Sequence, residues 1–261
     1  MQEKKINFLN SEINYKQFGN YKAKETILIL HGWGGSSNSW IKVAELLEKK
    51  WYNIIVPDLP WFWETGIYKI FTLDNYAEVI EKLATKLKLK NVILWWHSNW
   101  GAISIKLITR NILKPNILVL NNSAWIRNDK KRNFKRKFFH KVSSTIKAIA
   151  FLKTERILFV RRIFYKLIWS RDYLEAEKNP FLKQTYLNMI SSDLNEEIKK
   201  IDIKTFLIWW KKDTYTPISD WKLMSKNIKK SKMIVLEKET HWIHIKNPEL
   251  LIKAFLKLKE L

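Results

Sequence analysis

A serine hydroxyl, an imidazole and a carboxylate that meet in space make a nucleophile, and this chain carries one of each at telling places. Ser98 lies in Trp96-His97-Ser98-Asn99-Trp100-Gly101, after an apolar run and before a helical pattern. Asp213 follows the run Leu207-Ile208-Trp209 within Trp210-Lys211-Lys212-Asp213-Thr214, and His241 opens His241-Trp242-Ile243-His244. A hydroxyl attacks poorly until an imidazole within hydrogen-bond reach takes its proton, and a carboxylate behind the imidazole fixes its tautomer. The chemistry this implies is attack on an acyl carbon, with an acyl-serine formed and then released by water. Each residue also has a plainer reading. Serines after strands commonly cap helices, Asp213 suits a turn before Thr216-Pro217, and His244 competes with His241 from three residues on. Order and context favour the chemical reading: Ser, Asp and His each stand just past an expected strand, at the carboxyl edge where open α/β sheets gather their sites.

Positioning three such distant residues demands a sheet, and the pattern supplies one. Short β-branched runs alternate with longer amphipathic ones, which predicts strand and helix repeats around a mostly parallel sheet. Strands are expected at Thr26–Leu30, Asn53–Val56, Asn91–Trp95, Asn116–Leu120, Lys204–Trp209 and Lys232–Leu236, with an edge hairpin from Lys5–Asn10 and Ile13–Gln17. Helices are expected at Trp40–Lys49, Leu73–Leu87, Trp100–Asn111, Ser219–Ile228 and Pro248–Leu258, the last started by Asn247 and Pro248. From Ile126 to about Lys200 strand signals vanish and basic amphipathic helices take over, so we expect an inserted helical segment over 126–200 between core segments 1–125 and 201–261.

With these residues in place, the chain resembles the α/β-hydrolase superfamily over Lys5 to Leu261, especially small bacterial members with a helical cap. Trp96–Gly101 is similar to the nucleophile elbow, a sharp strand-to-helix turn that exposes a serine hydroxyl. The segments His31-Gly32-Trp33-Gly34-Gly35, Val56-Pro57-Asp58-Leu59-Pro60 and Asn247-Pro248-Glu249 fit the same likeness. The resemblance implies an α/β fold with a mostly parallel central sheet flanked by helices. It also implies a Ser98-Asp213-His241 triad, an oxyanion hole from the backbone N–H groups of Trp33 and Asn99, and a cap over the pocket from 126–200. The expected activity is cleavage of an ester or related acyl bond of a small molecule, a carboxylesterase-like reaction without metal or organic cofactor. Two alternatives stay open: carbon–carbon bond hydrolysis by the same triad, and a catalytically dead binding protein of the same fold with a basic cap. His31 is expected to support its loop rather than to catalyse.

One departure from the pattern is systematic. The residues two before and two after the serine should be small, because strand and helix backbones approach closely there; they are Trp96 and Trp100. Trp51, Trp61, Trp63, Trp125, Trp169, Trp210, Trp221 and Trp242 likewise stand where glycine fits better, leaving Trp33, Trp40, Trp95 and Trp209 as ordinary tryptophans. The chain has 14 Trp and only 6 Gly, whereas average usage gives a domain this long roughly eighteen glycines. We expect that the gene uses UGA for glycine and that these codons have been read as tryptophan. The rival is a Trp-rich relative that has lost catalysis.

Composition bounds the rest. The 261 residues suit one large domain with an insertion. With no cysteine, disulfides and thiolate metal sites are excluded. Met1 to Asn10 holds no apolar leader, and no stretch reaches the length of a bilayer span, so a cytoplasmic location is expected. The net charge of +23 invites a polyanion reading, but 40 of the 48 basic residues are Lys, and phosphate or base recognition draws heavily on Arg. Nucleic acid is therefore disfavoured. Between Arg127 and Lys166 fourteen basic residues face only Asp129 and Glu155, which reads first as a solvated face and secondly as a surface for acidic substrates or peripheral contact with anionic membrane.

Overall fold

The computed structural model describes residues 1–8, 11–19, 22–66, 68–123, 171–192, 194–211, 213, 216, 218–239 and 241–261. An eight-stranded sheet runs through it in the order β1-β2-β4-β3-β5-β6-β7-β8. The strands are β1 (Gln2–Phe8), β2 (Ser11–Phe18), β3 (Thr26–Leu30), β4 (Asn53–Pro57), β5 (Val92–His97), β6 (Ile117–Asn121), β7 (Lys204–Trp210) and β8 (Ser231–Leu236). β1 and β2 form an antiparallel hairpin in the register Gln2↔Gln17 to Phe8↔Ser11, and β2 joins β4 antiparallel; every other pairing is parallel. The expected mostly parallel α/β architecture is the one observed.

The inner parallel strands β3, β5 and β6 read as apolar runs because both faces are covered, whereas the edge strand β8 is only partly buried. Ile27 and Ile29 of β3, Ile93 and Trp95 of β5, and Phe206 and Ile208 of β7 point into one core, against α1 (Ile41–Glu48) and α8 (Pro248–Glu260). Leu28, Leu30, Leu94, Trp96 and Leu207 alternate into the other, against α2 (Leu73–Lys86) and α3 (Gly101–Thr109). Helix starts follow local chemistry. Thr72 and Asn75 form a reciprocal capping box at α2. At α8 the Asn247 side chain accepts from the Leu250 N–H at 3.3 Å with Pro248 in the first turn, as the sequence predicts.

Most departures from expectation are at element ends. β5 runs to His97 rather than Trp95, because Trp96 and His97 still pair with Leu120 and Asn121 of β6. The first hairpin strand begins at Gln2 and ends at Phe8, earlier than the expected Lys5–Asn10. Within the expected insertion, α4 (Arg171–Ala176) and α5 (Pro180–Ser191) are helical, while its first part, with Trp125, Trp169 and the basic stretch Arg127–Lys166, lies outside the described residues. Two further helices, α6 (Ile218–Asn227) and α7 (Ile243–Lys246), flank β8. Among the described residues no helix is long and apolar enough to cross a membrane.

Candidate active site

β5 delivers Ser98 to the carboxyl edge of the sheet and then turns at once. His97 is still extended, Ser98 takes φ 62°, and a short helical turn over Ser98–Trp100 leads into α3. A left-handed conformation at a non-glycine residue costs roughly 1–2 kcal/mol and persists only where its surroundings enforce it. Here the enforcement is close packing. A Cβ on Gly101 would fall 1.8 Å from the Ser123 Oγ, and one on Gly32 would sit 3.3 Å from the Ser98 Cβ. The Ser123 hydroxyl donates to the Ser98 carbonyl at 2.9 Å, tying the bend to the residues after β6.

The bend brings Ser98 to His241. The Ser98 hydroxyl lies 2.9 Å from His241 Nε2, and His241 Nδ1 lies 2.7 Å from Asp213 Oδ2. All three are buried, each less than a tenth exposed. In the tautomer that satisfies both contacts, Nδ1–H donates to the carboxylate and Nε2 accepts from the serine hydroxyl. This chain of hydrogen bonds can move a proton off the serine oxygen and hold the resulting imidazolium against a carboxylate. His244, the competing imidazole, stacks instead on Trp40 with ring centroids 4.6 Å apart.

Two indoles flank the bend at Ser98. Trp96 and Trp100 are fully buried. Trp100 stacks on Trp33 at 5.3 Å and meets Phe62 and Tyr76 edge-on. The indole N–H groups of Trp96 and Trp100 find no acceptor among the described residues, so burial is achieved at the expense of two unmade hydrogen bonds.

Trp33 lies in the loop after β3 and, with Gly32, Ser98 and His241, lines a cavity of about 510 Å³. Asn99 follows the serine within the first helical turn, where backbone N–H groups have no intrahelical partner. His31 anchors the Trp33 loop. It contacts the Gly32 carbonyl through Nδ1 at 2.8 Å and accepts the Leu59 N–H through Nε2 at 3.0 Å, and burial holds its pKa below the ordinary value. Asp58 braces the same region, accepting from the Ser37 N–H at 2.6 Å and the Asn14 amide at 2.9 Å.

The sequence reading missed two residues that hold the acid. The Asn122 amide donates to Asp213 Oδ2, and Thr216 donates to the same carboxylate through its N–H at 3.0 Å and its hydroxyl at 2.9 Å. Asn122 stands immediately past β6, at the same carboxyl edge of the sheet as the other three. His97 packs between His241 and His244, at ring separations of 4.7 and 4.5 Å. Burial, then the neighbouring imidazoles, pushes its pKa well down, and burial also lowers that of His244 to about 3. Among the described residues no group of three or more His, Asp or Glu is placed to hold a metal ion.

The chain is 24% identical over 254 residues to the uncharacterized hydrolase YugF of Bacillus subtilis, covering 92% of this chain and 91% of that one. It is 25% identical over 250 residues to Lipase 1 of Psychrobacter immobilis, covering 87% and 74% respectively. Among solved structures, a bromoperoxidase from Bacillus anthracis superposes with a TM-score of 0.72 at 18% identity, over 100% of this chain and 99% of that one. The model of the alpha/beta hydrolase family matches residues 27–254, and the chain therefore belongs to that family.

Proposed function

We propose that this chain is a serine hydrolase that cleaves an ester or related acyl bond of a small molecule through an acyl-enzyme, with Ser98 as nucleophile, His241 as base and Asp213 as its carboxylate partner. The observation that carries this reading is the unbroken contact from Ser98 Oγ through His241 to Asp213 Oδ2, at 2.9 and 2.7 Å. The likeness to Lipase 1 supports the same reaction class. As Ser98 Oγ bonds to the acyl carbon, its proton passes to His241 Nε2. The carbonyl oxygen gains negative charge, which the backbone N–H groups of Trp33 and Asn99 stabilise, a contribution of about 3 kcal/mol per donor in comparable sites. Collapse expels the alcohol oxygen, which takes the proton from Nε2. Water then attacks the acyl carbon, gives its proton to Nε2, and releases the carboxylic acid as the proton returns to Ser98. The helices at 171–191, whose Asp172, Glu175 and Leu182 line the cavity, would belong to a cap over 126–200.

A fluorophosphonate probe tests this directly. The chain should gain one adduct by intact mass, located at Ser98 and absent in Ser98→Ala. A folded circular-dichroism spectrum without labelling would favour the binding-protein alternative and sink the enzyme reading.

We further propose that Trp51, Trp61, Trp63, Trp96, Trp100, Trp125, Trp169, Trp210, Trp221 and Trp242 stand at codons that specify glycine. Backbone geometry supports this at three of them. Trp51, Trp61 and Trp63 adopt φ of 64°, 79° and 50°, whereas Trp33, Trp40, Trp95 and Trp209 are absent from the left-handed region. Only glycine occupies that region freely. Trp51 and Trp63 are also 80% and 60% exposed. Peptide mass spectrometry of the protein from its own host should find glycine at these positions and tryptophan at 40. Tryptophan at 51, 61 and 63, or TGG codons there, would end the idea.

A further inference from the structure

We propose that Asn122 is a positioning residue for the acid of this site: its amide holds the Asp213 carboxylate in place and sets the pH at which His241 works as a base. This rests on the serine hydrolase reading above. Asn122 is the first residue past β6, fully buried, with φ 40°, a left-handed backbone that Asn tolerates better than most residues. Its N–H donates to the Ile208 carbonyl of β7 at 3.1 Å, which fixes the backbone across two strands. From that point the side-chain amide donates both to Asp213 Oδ2 and, at 3.2 Å, to the Thr216 hydroxyl oxygen. The Thr216 hydroxyl in turn donates to Asp213 Oδ2 at 2.9 Å.

The direction of these bonds matters. Oδ2 is the oxygen that faces His241, and the Asp213 side chain is 0% exposed, so its charge depends on protein donors rather than on water. Asn122 reaches it directly and again through Thr216. The Asn122 Oδ1 has no partner among the described residues; rotating the amide would gain nothing there and would set an acceptor against a carboxylate. A side chain that served only to fill space would need neither amide hydrogen.

Donors to a carboxylate stabilise its charged form and draw electron density from it. Without the Asn122 amide, the negative charge on Oδ2 leans more on the Thr216 hydroxyl and on an imidazolium at His241, so protonated His241 becomes more favourable. The other titratable groups facing His241 are His97 at the end of β5 and His244 in α7, both held neutral by burial; Asp172 and Glu175 of α4 line the same cavity. None of these changes when Asn122 is altered.

Asn122→Gly is the appropriate variant, because glycine accepts φ 40° and removes the amide without adding backbone strain. Using a p-nitrophenyl ester across pH 5 to 9, we expect kcat to fall about tenfold with KM within about twofold. The acid limb of kcat/KM should move to higher pH by roughly half a unit or more. Thr216→Val, which removes the relay hydroxyl, should shift the limb the same way and serves if Asn122→Gly does not fold. A fall in kcat with an unmoved limb would show a merely structural role and overturn the proposal, as would no change at all. If the parent shows no Ser98-dependent turnover, the hydrolase reading fails instead. The Asn122 claim is then decided by titrating the His241 ring by NMR in the parent and in Asn122→Gly, where an unchanged midpoint would overturn it.

Discussion

His97 and His244 occupy the ground behind His241 as neutral rings. Each is nearly fully buried, and His244 stacks on Trp40. Because both are uncharged, neither places a positive charge beside His241, whose ring lies 4.7 Å from that of His97. The arrangement has a stability consequence. Below the ordinary histidine pKa of 6.5 the unfolded chain takes up protons that the folded His244 refuses until about pH 3. Stability from this group is therefore complete above 6.5 and is lost progressively as pH falls from 6.5 toward 3. His244→Phe keeps a ring against Trp40 and removes the titration. Thermal melts should show the parent losing Tm more steeply than this variant over that window, and parallel curves would contradict the assignment.

The strand-to-helix turn at Ser98 works because three elements touch at one point: the end of β5, the start of α3 and the residues after β6. Gly101 makes the contact with Ser123. Gly101→Ala should destabilise the fold by about 1–3 kcal/mol, and Ser123→Gly in the same chain should recover most of that loss. Denaturant unfolding of the two single variants and the double would measure the coupling; simple additivity would mean that the helix start relaxes elsewhere. At this scale the sequence was informative where periodicity and strand-edge position carry the information. The alternation of short β-branched runs with longer amphipathic ones pointed to the parallel sheet, and Ser98, Asp213 and His241 were read from their places just past β5, β7 and β8. Two kinds of feature escaped it. The true end of β5 was hidden because Trp96 and His97 read as the beginning of the turn, whereas pairing with β6 continues through them. Asn122 and Thr216 were hidden because their role depends on side-chain direction, and Asn121-Asn122-Ser123 after a strand has the composition of any polar turn.

Charge acts on the whole molecule in two opposed ways. The net +23 of the chain creates a long-range field that raises the local concentration of anions, an effect screened beyond about 8 Å at physiological ionic strength. At the cavity two carboxylates act the other way, since Asp172 and Glu175 line it beside Trp33 and Leu182. Glu175 also pairs with Lys178 at 2.6 Å on an exposed face, where the pair contributes little. An acyl group that enters the cavity therefore meets aromatic surface and carboxylates at short range, whatever field drew the molecule in. Neutral acyl esters should be turned over faster than half-esters carrying a free carboxylate. Added salt should slow the anionic substrates further by screening the attraction that delivers them. Asp172→Asn combined with Glu175→Gln should narrow the gap, chiefly by raising kcat/KM for the anionic ester. If the parent instead prefers the anionic ester and the double variant leaves that preference intact, the positive field of the chain outweighs the cavity carboxylates in selecting the substrate.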